Sequence, residues 1–319
     1  MPEVSVVLSV YNGERFVREA LESAFAQDFG DVEFVVVDNG SADGTAGVLR
    51  ELAEAEPRMT VISLAENVGM SNGRRRAIEA STGAWIAMLD HDDVWEPGKL
   101  SAQMRVANDP EVHPSVVGTW AEYTGDDGRS LGARRMEPIS VARFRELYEA
   151  GEAIVLVHAS ALIRRSDYDA VGGYRAECDP ADDLDLWYRM AETGHPIVVV
   201  PEQLVRYRIH GSAESVTKTL LQRRKTHFIH YNMRRRRAGE PEVSWEAFDS
   251  RIWADRSYRR SRLRNDYAIS LYKQAGLHFA LRHYVRAAAY VIATLFVRPS
   301  VALRRLASQR TNIGADGLR

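Results

Sequence analysis

The sequence predicts an α/β fold, a mostly parallel sheet with helices on both faces, followed by a helical and basic C-terminal region. Three observations predict it. Between Val4 and Asn108, apolar runs of strand length alternate with segments of helix length, the pattern of successive βαβ units. Several of these runs end on polar or acidic residues, and open parallel sheets bind ligands at the carboxyl ends of their strands. Charge is also divided unevenly: residues 218–310 hold 21 Lys and Arg against 6 Asp and Glu, and residues 1–217 hold 20 against 37. The formal net charge of −2 over 319 residues hides this asymmetry.

The elements follow in order. Val4–Val10 is β-branched and apolar, a buried strand, and Tyr11-Asn12-Gly13 is its turn. Phe16, Val17, Ala20, Leu21, Ala24 and Phe25 recur at helical spacing. Val32–Val37 is a second strand that ends at Asp38, and Ser41 or Asp43 can cap a helix running to about Glu56. Met59–Leu64 is a third strand, 69–81 a helix and Ala84–Leu89 a fourth strand. Right-handed crossovers would set these helices on both faces. A helix follows Pro97 to about Asn108. Beyond it the pattern is mixed: strands at 115–123 and 153–165, a helix near 141–150, and a short strand at Ile197–Val200. From about Ser215 the chain reads as helical and Arg-rich to its end.

The length suits one large domain or a domain with an appendage, and the 45% apolar fraction is ordinary for a globular protein. A single cysteine, Cys178, excludes an internal disulfide framework and reads as an inert thiol, which fits a reducing cytoplasm. Met1-Pro2-Glu3 lacks the basic start of a signal peptide, so a cytoplasmic location is expected. The run Arg234–Arg237 has no interleaved aromatics and reads as a solvated face, so no nucleic-acid partner is expected.

The most informative residues are Asp90-His91-Asp92-Asp93, directly after the fourth strand. Three carboxylates crowded at a strand end repel one another unless something cationic binds them. Their hard oxygens suit Mg²⁺ or Mn²⁺, ions that bridge to phosphates. An acidic turn capping the next helix is the competing reading. Val10-Tyr11-Asn12, Asp38 and the Asp90–Asp93 turn are all strand exits, hence candidates for one crevice.

Six ordered blocks carry a family resemblance: Ser9–Glu14, Val37–Thr45, Asn67–Ser71, Leu89–Asp93, Val171–Tyr174 with Asp182–Trp187, and Tyr207–His210. In this order the chain resembles the family 2 glycosyltransferases over roughly residues 3–212. The resemblance implies a GT-A fold, a Rossmann-like mixed sheet, over residues 1–214, with a nucleotide-binding half at about 1–110 and an acceptor half at about 111–214. Residues 215–319 would form the helical, basic region. It implies an inverting transfer of sugar from a nucleoside-diphosphate donor, in most relatives a uridine one, to an acceptor hydroxyl. A cell-surface glycan, a lipid-linked glycan and a natural product are all open as acceptor.

Residue roles are carried over from the same resemblance. Asp38 would accept a hydrogen bond from the base, with Tyr11 packed on its face and Val10, Asn12 and Asn67 lining the site; an Asx-turn to Ser41 is the alternative use of Asp38. Arg74 would reach the diphosphate at a helix start. Here the chain departs from the pattern, with Gly73 in place of alanine and Arg75 in place of asparagine. Asp92 would ligate the ion, Asp90 would hold ribose or join the metal site, and His91 stands where Ser or Ala is usual. His91 can ligate, bond to ribose or point away. Asp183 would be the catalytic base with Asp182 as fallback, although both also suit a helix N-terminus. His210 would touch metal or diphosphate, or lie at the surface. Trp187 reads as core, and Trp95 as donor-pocket lining or a staple for the Pro97 helix.

Two other classes stay open. A sugar nucleotidyltransferase would want a glycine-rich loop after the first strand, where this chain has only Gly13. A non-catalytic nucleotide-sugar-binding homologue is the other. In the tail, Ala287–Val297 is an uncharged apolar run with Arg282 and Arg286 before it and Arg298, Arg304 and Arg305 after it. It is too short to span a bilayer. It suits either a helix lying on an anionic membrane or one packed on the catalytic domain or on a second subunit of a homo-oligomer.

Overall fold

The β-branched run Val4–Val10 forms β1, the strand around which the sheet is built. A computed structural model describes residues 1–303 except Ser212. β2 (Val32–Asp38) lies parallel to β1 with Asp38 opposite Val10, and β3 (Met59–Ser63) lies parallel to β2. The helices α1 (Val17–Phe25), α2 (Thr45–Ala55) and α3 (Met70–Glu79) connect these strands and the next. β4 (Trp85–Met88) returns to the other side of β1, again parallel. The strand order therefore reverses at β1, which opens a crevice between the carboxyl ends of β1 and β4.

The remaining strands make the sheet mixed. They are β5 (Val94–Trp95), β6 (Val116–Thr124), β7 (Ser130–Arg134), β8 (Leu162–Arg164) and β9 (Ile197–Arg208). The sheet of nine strands has the order β3-β2-β1-β4-β8-β6-β9-β5, with β7 on β6. β8 is antiparallel to both β4 and β6, and β5 is antiparallel to β9. The helices of this part are α4 (Lys99–Ala107), α5 (Val141–Glu149), α6 (Arg165–Ala170) and α7 (Asp182–Ala191). Ser140 caps α5 by accepting the Arg143 N–H, which satisfies one of the helix's orphan donors.

The chain divides into two units. The first holds Met1–Tyr123, Gly132–Ala176 and Leu186–Arg208, and the second holds Thr124–Leu131, Glu177–Asp185 and the chain from Ile209 onward. The core of the first unit is built from inward residues of the parallel strands, among them Leu8, Phe34 and Ile86, with Leu21 of α1 and Trp187 of α7. Each such side chain contributes roughly 1.5–3 kcal/mol by leaving water, so this unit holds its strand exits on a rigid platform.

The second unit is helical: α8 (Glu214–Thr217), α9 (Thr219–Arg237), α10 (Trp245–Ala247), a π-helical turn Phe248–Trp253, α11 (Arg256–Ala280) and α12 (Tyr284–Val297). Asp255 caps α11 by accepting the Tyr258 N–H at 2.7 Å. Phe228 of α9 meets Trp245 and Phe248, each with ring centroids 5.5 Å apart. Buried Asp266 of α11 accepts from Arg223 Nε at 3.0 Å and pairs with His227 Nε2 at 2.8 Å. Among the described residues no helix is long and apolar enough to cross a membrane. Arg304 and Arg305 lie outside the described residues.

Two expectations are corrected. The segment 153–165 is not one strand: His158–Ser160 is a 3₁₀ turn, and only Leu162–Arg164 joins the sheet before α6 begins. Buried donors cause the turn. Trp95 Nε1 donates to Ala159 O at 2.9 Å and Gln103 Nε2 to Ser160 O at 2.8 Å, drawing the carbonyls away from a ladder. The strand expected at Ile197–Val200 instead runs twelve residues to Arg208, because its polar second half pairs with β5.

Candidate functional site

The exits of β1 and β2 are tied together by side chains. Asn12, in the left-handed region at φ 52°, accepts the Ala42 N–H at 2.8 Å, while its own N–H donates to Ser41 Oγ at 2.9 Å. Asp38 is buried, and its Oδ1 accepts the Ser41 N–H at 3.0 Å. The Asx-turn is thus present, and it fixes the carboxylate at the strand end. Tyr11 beside it is exposed. Asn39, which the sequence did not single out, knits in the loop before α3: it donates to Gly69 O at 3.1 Å and accepts the Val68 N–H at 3.0 Å. Asn67 accepts the Gly69 N–H at 2.9 Å.

α3 separates the three arginines. Arg74 is buried, whereas Arg75 and Arg76 face solvent. The departure at Gly73 has a steric cause: a Cβ there would collide with Ser9 Oγ of β1 and lie 3.1 Å from Asn39 Nδ2. Glycine lets α3 approach the strand closely enough to bring Arg74 to the crevice.

Arg74 donates to Asp90 Oδ1 at 3.1 Å. Asp90 is gripped from a second side by His158, whose Nδ1 lies 3.0 Å from both carboxylate oxygens. The other ring nitrogen of His158 is 2.9 Å from the Tyr174 hydroxyl, and the Arg74 guanidinium sits 5.7 Å from the Tyr174 ring. Burial pushes the Asp90 carboxyl upward, but the charges of His158 and Arg74 outweigh it and hold the group well below the usual carboxylate range. His158 is the residue that sequence reasoning missed. A lone histidine within an apolar run signals nothing; its position depends on the buried donors of Trp95 and Gln103. Gln103 is supported in turn by buried Lys99, whose Nζ donates to it at 2.8 Å, and whose amine burial pushes well below the lysine range.

The next two carboxylates are held differently. Asp93 is buried and accepts the Arg208 N–H at 3.0 Å. Its Oδ2 is also buried and has no hydrogen-bond partner among the described residues. Burial, then the charges of Asp92 and Asp90, push its carboxyl well above the ordinary range, against the pull of Arg208. Arg208 Nε donates to Asp92 O at 3.0 Å, and its other arm pairs with Glu19 at 2.6 Å over the Phe16 ring. The acidic turn is therefore clamped from β9 and α1, leaving the Asp92 side chain half-buried. His91 lies against the first turn, with its Cδ2 2.8 Å from where a Gly13 Cβ would stand. Trp95 is buried as a staple, with Lys99 Nζ 3.8 Å from its ring.

The first unit thus gathers Val10, Tyr11, Asn12, Asp38, Asn67, Arg74, Asp90, His91 and Asp92 on the carboxyl edge of the parallel strands. Asp182, Asp183 and His210 belong to the second unit. Asp182 is buried and Asp183 half-buried in the first turn of α7, where Asp183 Oδ1 accepts the Leu184 N–H at 2.7 Å. His210 is buried.

The residues of the acidic turn fit a divalent ion whose shell is completed by a ligand. Asp92 and the orphaned Asp93 Oδ2 supply hard oxygen. Among the described residues no group of three His, Cys, Asp or Glu is arranged to hold a metal ion.

Comparison with known proteins agrees with this architecture. The Glycosyl transferase family 2 model matches residues 5–172. EpsH of Bacillus subtilis, which carries a glycosyltransferase name, is 35% identical over 219 residues, covering 66% of this chain and 62% of its own length. An uncharacterised glycosyltransferase of Rickettsia felis is 28% identical over 217 residues, covering 67% of this chain, and the match spans only 35% of that relative's length. Among solved structures, the Pyrobaculum calidifontis mannosyltransferase in complex with GDP-Man and Mn²⁺ aligns with a TM-score of 0.56 at 19% identity, covering 97% of this chain and 80% of its own. TarS 1–349 of S. aureus in complex with UDP-GlcNAc aligns with a TM-score of 0.56 at 17% identity, covering 92% and 91%. The fold is the GT-A fold. The chain belongs to glycosyl transferase family 2.

Proposed function

We propose that this protein transfers a sugar from a nucleoside-diphosphate donor to an acceptor hydroxyl with inversion at the anomeric carbon, and that the donor is a uridine one. The observation that carries the reading is the clamped acidic turn at the β1/β4 switch, with Arg74 turned toward it from α3. The catalytic region is proposed to span residues 1–214, with residues 215–319 as an appended helical region.

In this reading the base sits over the β1 and β2 exits, where Asp38 accepts its N–H and Tyr11 packs on its face. Val10, Asn12 and Asn67 shape that floor. Arg74 donates to the diphosphate through charge-assisted hydrogen bonds. Asp90, His158 and Tyr174 orient Arg74, and His91 lines the ribose side. Asp92 is the protein's ligand to a Mn²⁺ or Mg²⁺ ion, with His210 as a contact to the ion or the diphosphate. When bound, the ion supplies Lewis-acid stabilisation of the charge that develops on the departing diphosphate. Asp183 takes the proton from the acceptor hydroxyl as that oxygen attacks the anomeric carbon from the face opposite the diphosphate. The bond to the diphosphate oxygen breaks as the new glycosidic bond forms, so no covalent enzyme intermediate arises. Asp182 is the fallback base.

The test is single-turnover transfer with Asp183→Asn. Loss of a base of this kind removes about 10²–10⁴ in rate while donor affinity is retained. An undiminished rate in Asp183→Asn would overturn the assignment of the base. Donor hydrolysis measured in the same samples separates a transferase from a nucleotide-sugar-binding homologue, which would bind donor and turn nothing over.

A further inference from the structure

The helical unit carries a surface with a specific pattern. On α12 the exposed residues Val285, Ala288, Ala289, Ile292 and Phe296 recur at the spacing of a single helix face. Val285 is 85% and Phe296 83% exposed, far more than large apolar side chains need be in a helix that packs along a neighbour. The opposite face, with Ala287 and Thr294, is buried. Phe279 at the end of α11 is exposed too, and its ring meets that of Tyr284 at 5.7 Å. The stripe therefore does not face the interior of its own unit.

Along its own stretch of chain the charges have one sign, and Asp127 of the same unit pairs with Arg282 at 3.0 Å. Between Asp266 and Asp316 the sequence has no Asp or Glu, while it has Lys273, Arg282, Arg286, Arg298, Arg304, Arg305 and Arg310. Arg286 is exposed within α12 and Arg298 follows its last turn. A second copy of this chain would set like charges against like on this face. A flat, anionic, apolar-cored partner satisfies both features at once.

We propose that α12 lies in the interface of an anionic lipid bilayer, with the Val285–Phe296 stripe in the acyl boundary and the flanking arginines on phosphate headgroups. A helix of this length and polarity binds in the plane of the surface rather than across it. The inference does not depend on which reaction the protein performs.

The full-length protein is tested by co-sedimentation with vesicles of phosphatidylcholine alone and of phosphatidylcholine with about one-third phosphatidylglycerol, at low and at high salt. The expected result is pelleting with the anionic vesicles only, weakened by salt. Arg286→Ala with Arg298→Ala should lower partitioning roughly thirtyfold, the factor for two charges at about 1 kcal/mol each. Ile292→Asp with Phe296→Asp, at exposed positions that leave thermal unfolding unchanged, should abolish binding at all salt concentrations. Equal pelleting of this variant and the parent protein would overturn the proposal. So would light scattering that shows a dimer which this variant converts to monomer, combined with no vesicle binding by the parent: the occupant of the stripe would then be a second copy.

Discussion

Each unit contains an aspartate held by one arginine and one histidine, and the two clusters have opposite surroundings. In the helical unit Asp266 is closed in between α9 and α11, with its side chain 3% exposed and Arg223 and His227 as partners. At the sheet edge Asp90 holds Arg74 and His158, but its side chain is 24% exposed, and two further carboxylates follow it within three residues. The same three residue types thus make a staple in one place and the wall of a crevice in the other. Exposure is one difference between them. The company is another: Asp266 has its charge answered, whereas the Asp90–Asp93 turn keeps at Asp93 a buried carboxyl oxygen with no hydrogen-bond partner among the described residues.

The largest effect is expected at the closed cluster. Asp266→Ala leaves Arg223 buried without its partner, and breaking such a pair costs about 3–5 kcal/mol. Chemical denaturation should show that loss, while the folded fraction binds donor as before. Lost donor affinity at unchanged stability would mean that the helical cluster is not a staple.

The second expected effect is a pH dependence confined to the same unit. Burial, then the charges of Arg223, His227 and Arg234, bring the His230 imidazole down from 6.5 to about 4. The unfolded chain therefore binds this proton more readily than the folded one between those values. Stability from His230 is highest above pH 6.5 and falls as pH drops through that window toward 4, by roughly 3 kcal/mol in all. The difference between the stability curves of the parent protein and His230→Gln should show that slope; parallel curves would contradict it.

His158→Ala tests the open member. Partners that orient a working group are typically worth 10–100-fold in activity, so kcat should fall by that factor, with a smaller change in KM. Tyr174→Phe should lie between the parent and His158→Ala. His227→Ala, the counterpart in the helical unit, should lower stability and leave kcat unchanged. The reverse outcome would exchange the roles of the two clusters. The smallest effect is expected at Arg75, whose exposed pair with Glu79 spans 3.5 Å. Arg75→Ala should change stability by no more than about 0.5 kcal/mol and leave donor affinity intact, in contrast to Arg74→Ala.

Much of the sheet was legible because buried parallel strands announce themselves as apolar runs. β1 to β4, their helices and the acidic exit after β4 all lie where periodicity puts them, and so does the helical character from α8 to α12. The turn at His158–Ser160 was not legible, since its cause is a pair of donors, Trp95 and Gln103, more than fifty residues away in sequence. β9 was read short because only its first four residues are apolar; the rest is specified by pairing with β5. At the candidate site, Asp38 and the Asp90–Asp93 turn could be singled out as strand exits, and Arg74 only through the family resemblance. Asn39, His158 and Arg208 as clamp could not, because each acts through a contact that no local pattern encodes. Gly73 looked like a departure from the family pattern and is explained only by Ser9 beneath it.

In the proposed function the crevice at the β1/β4 exits binds a nucleoside diphosphate together with a divalent ion through Asp92. Thermal unfolding with uridine, guanosine and thymidine diphosphates, each with and without Mn²⁺, tests it directly, since a ligand of the native state raises the transition in proportion to the logarithm of its concentration over its affinity. The expected result is a rise with the uridine nucleotide that requires Mn²⁺ and is absent in Asp92→Ala. A rise of equal size without the ion or in Asp92→Ala, or no rise with any of the three, would contradict it.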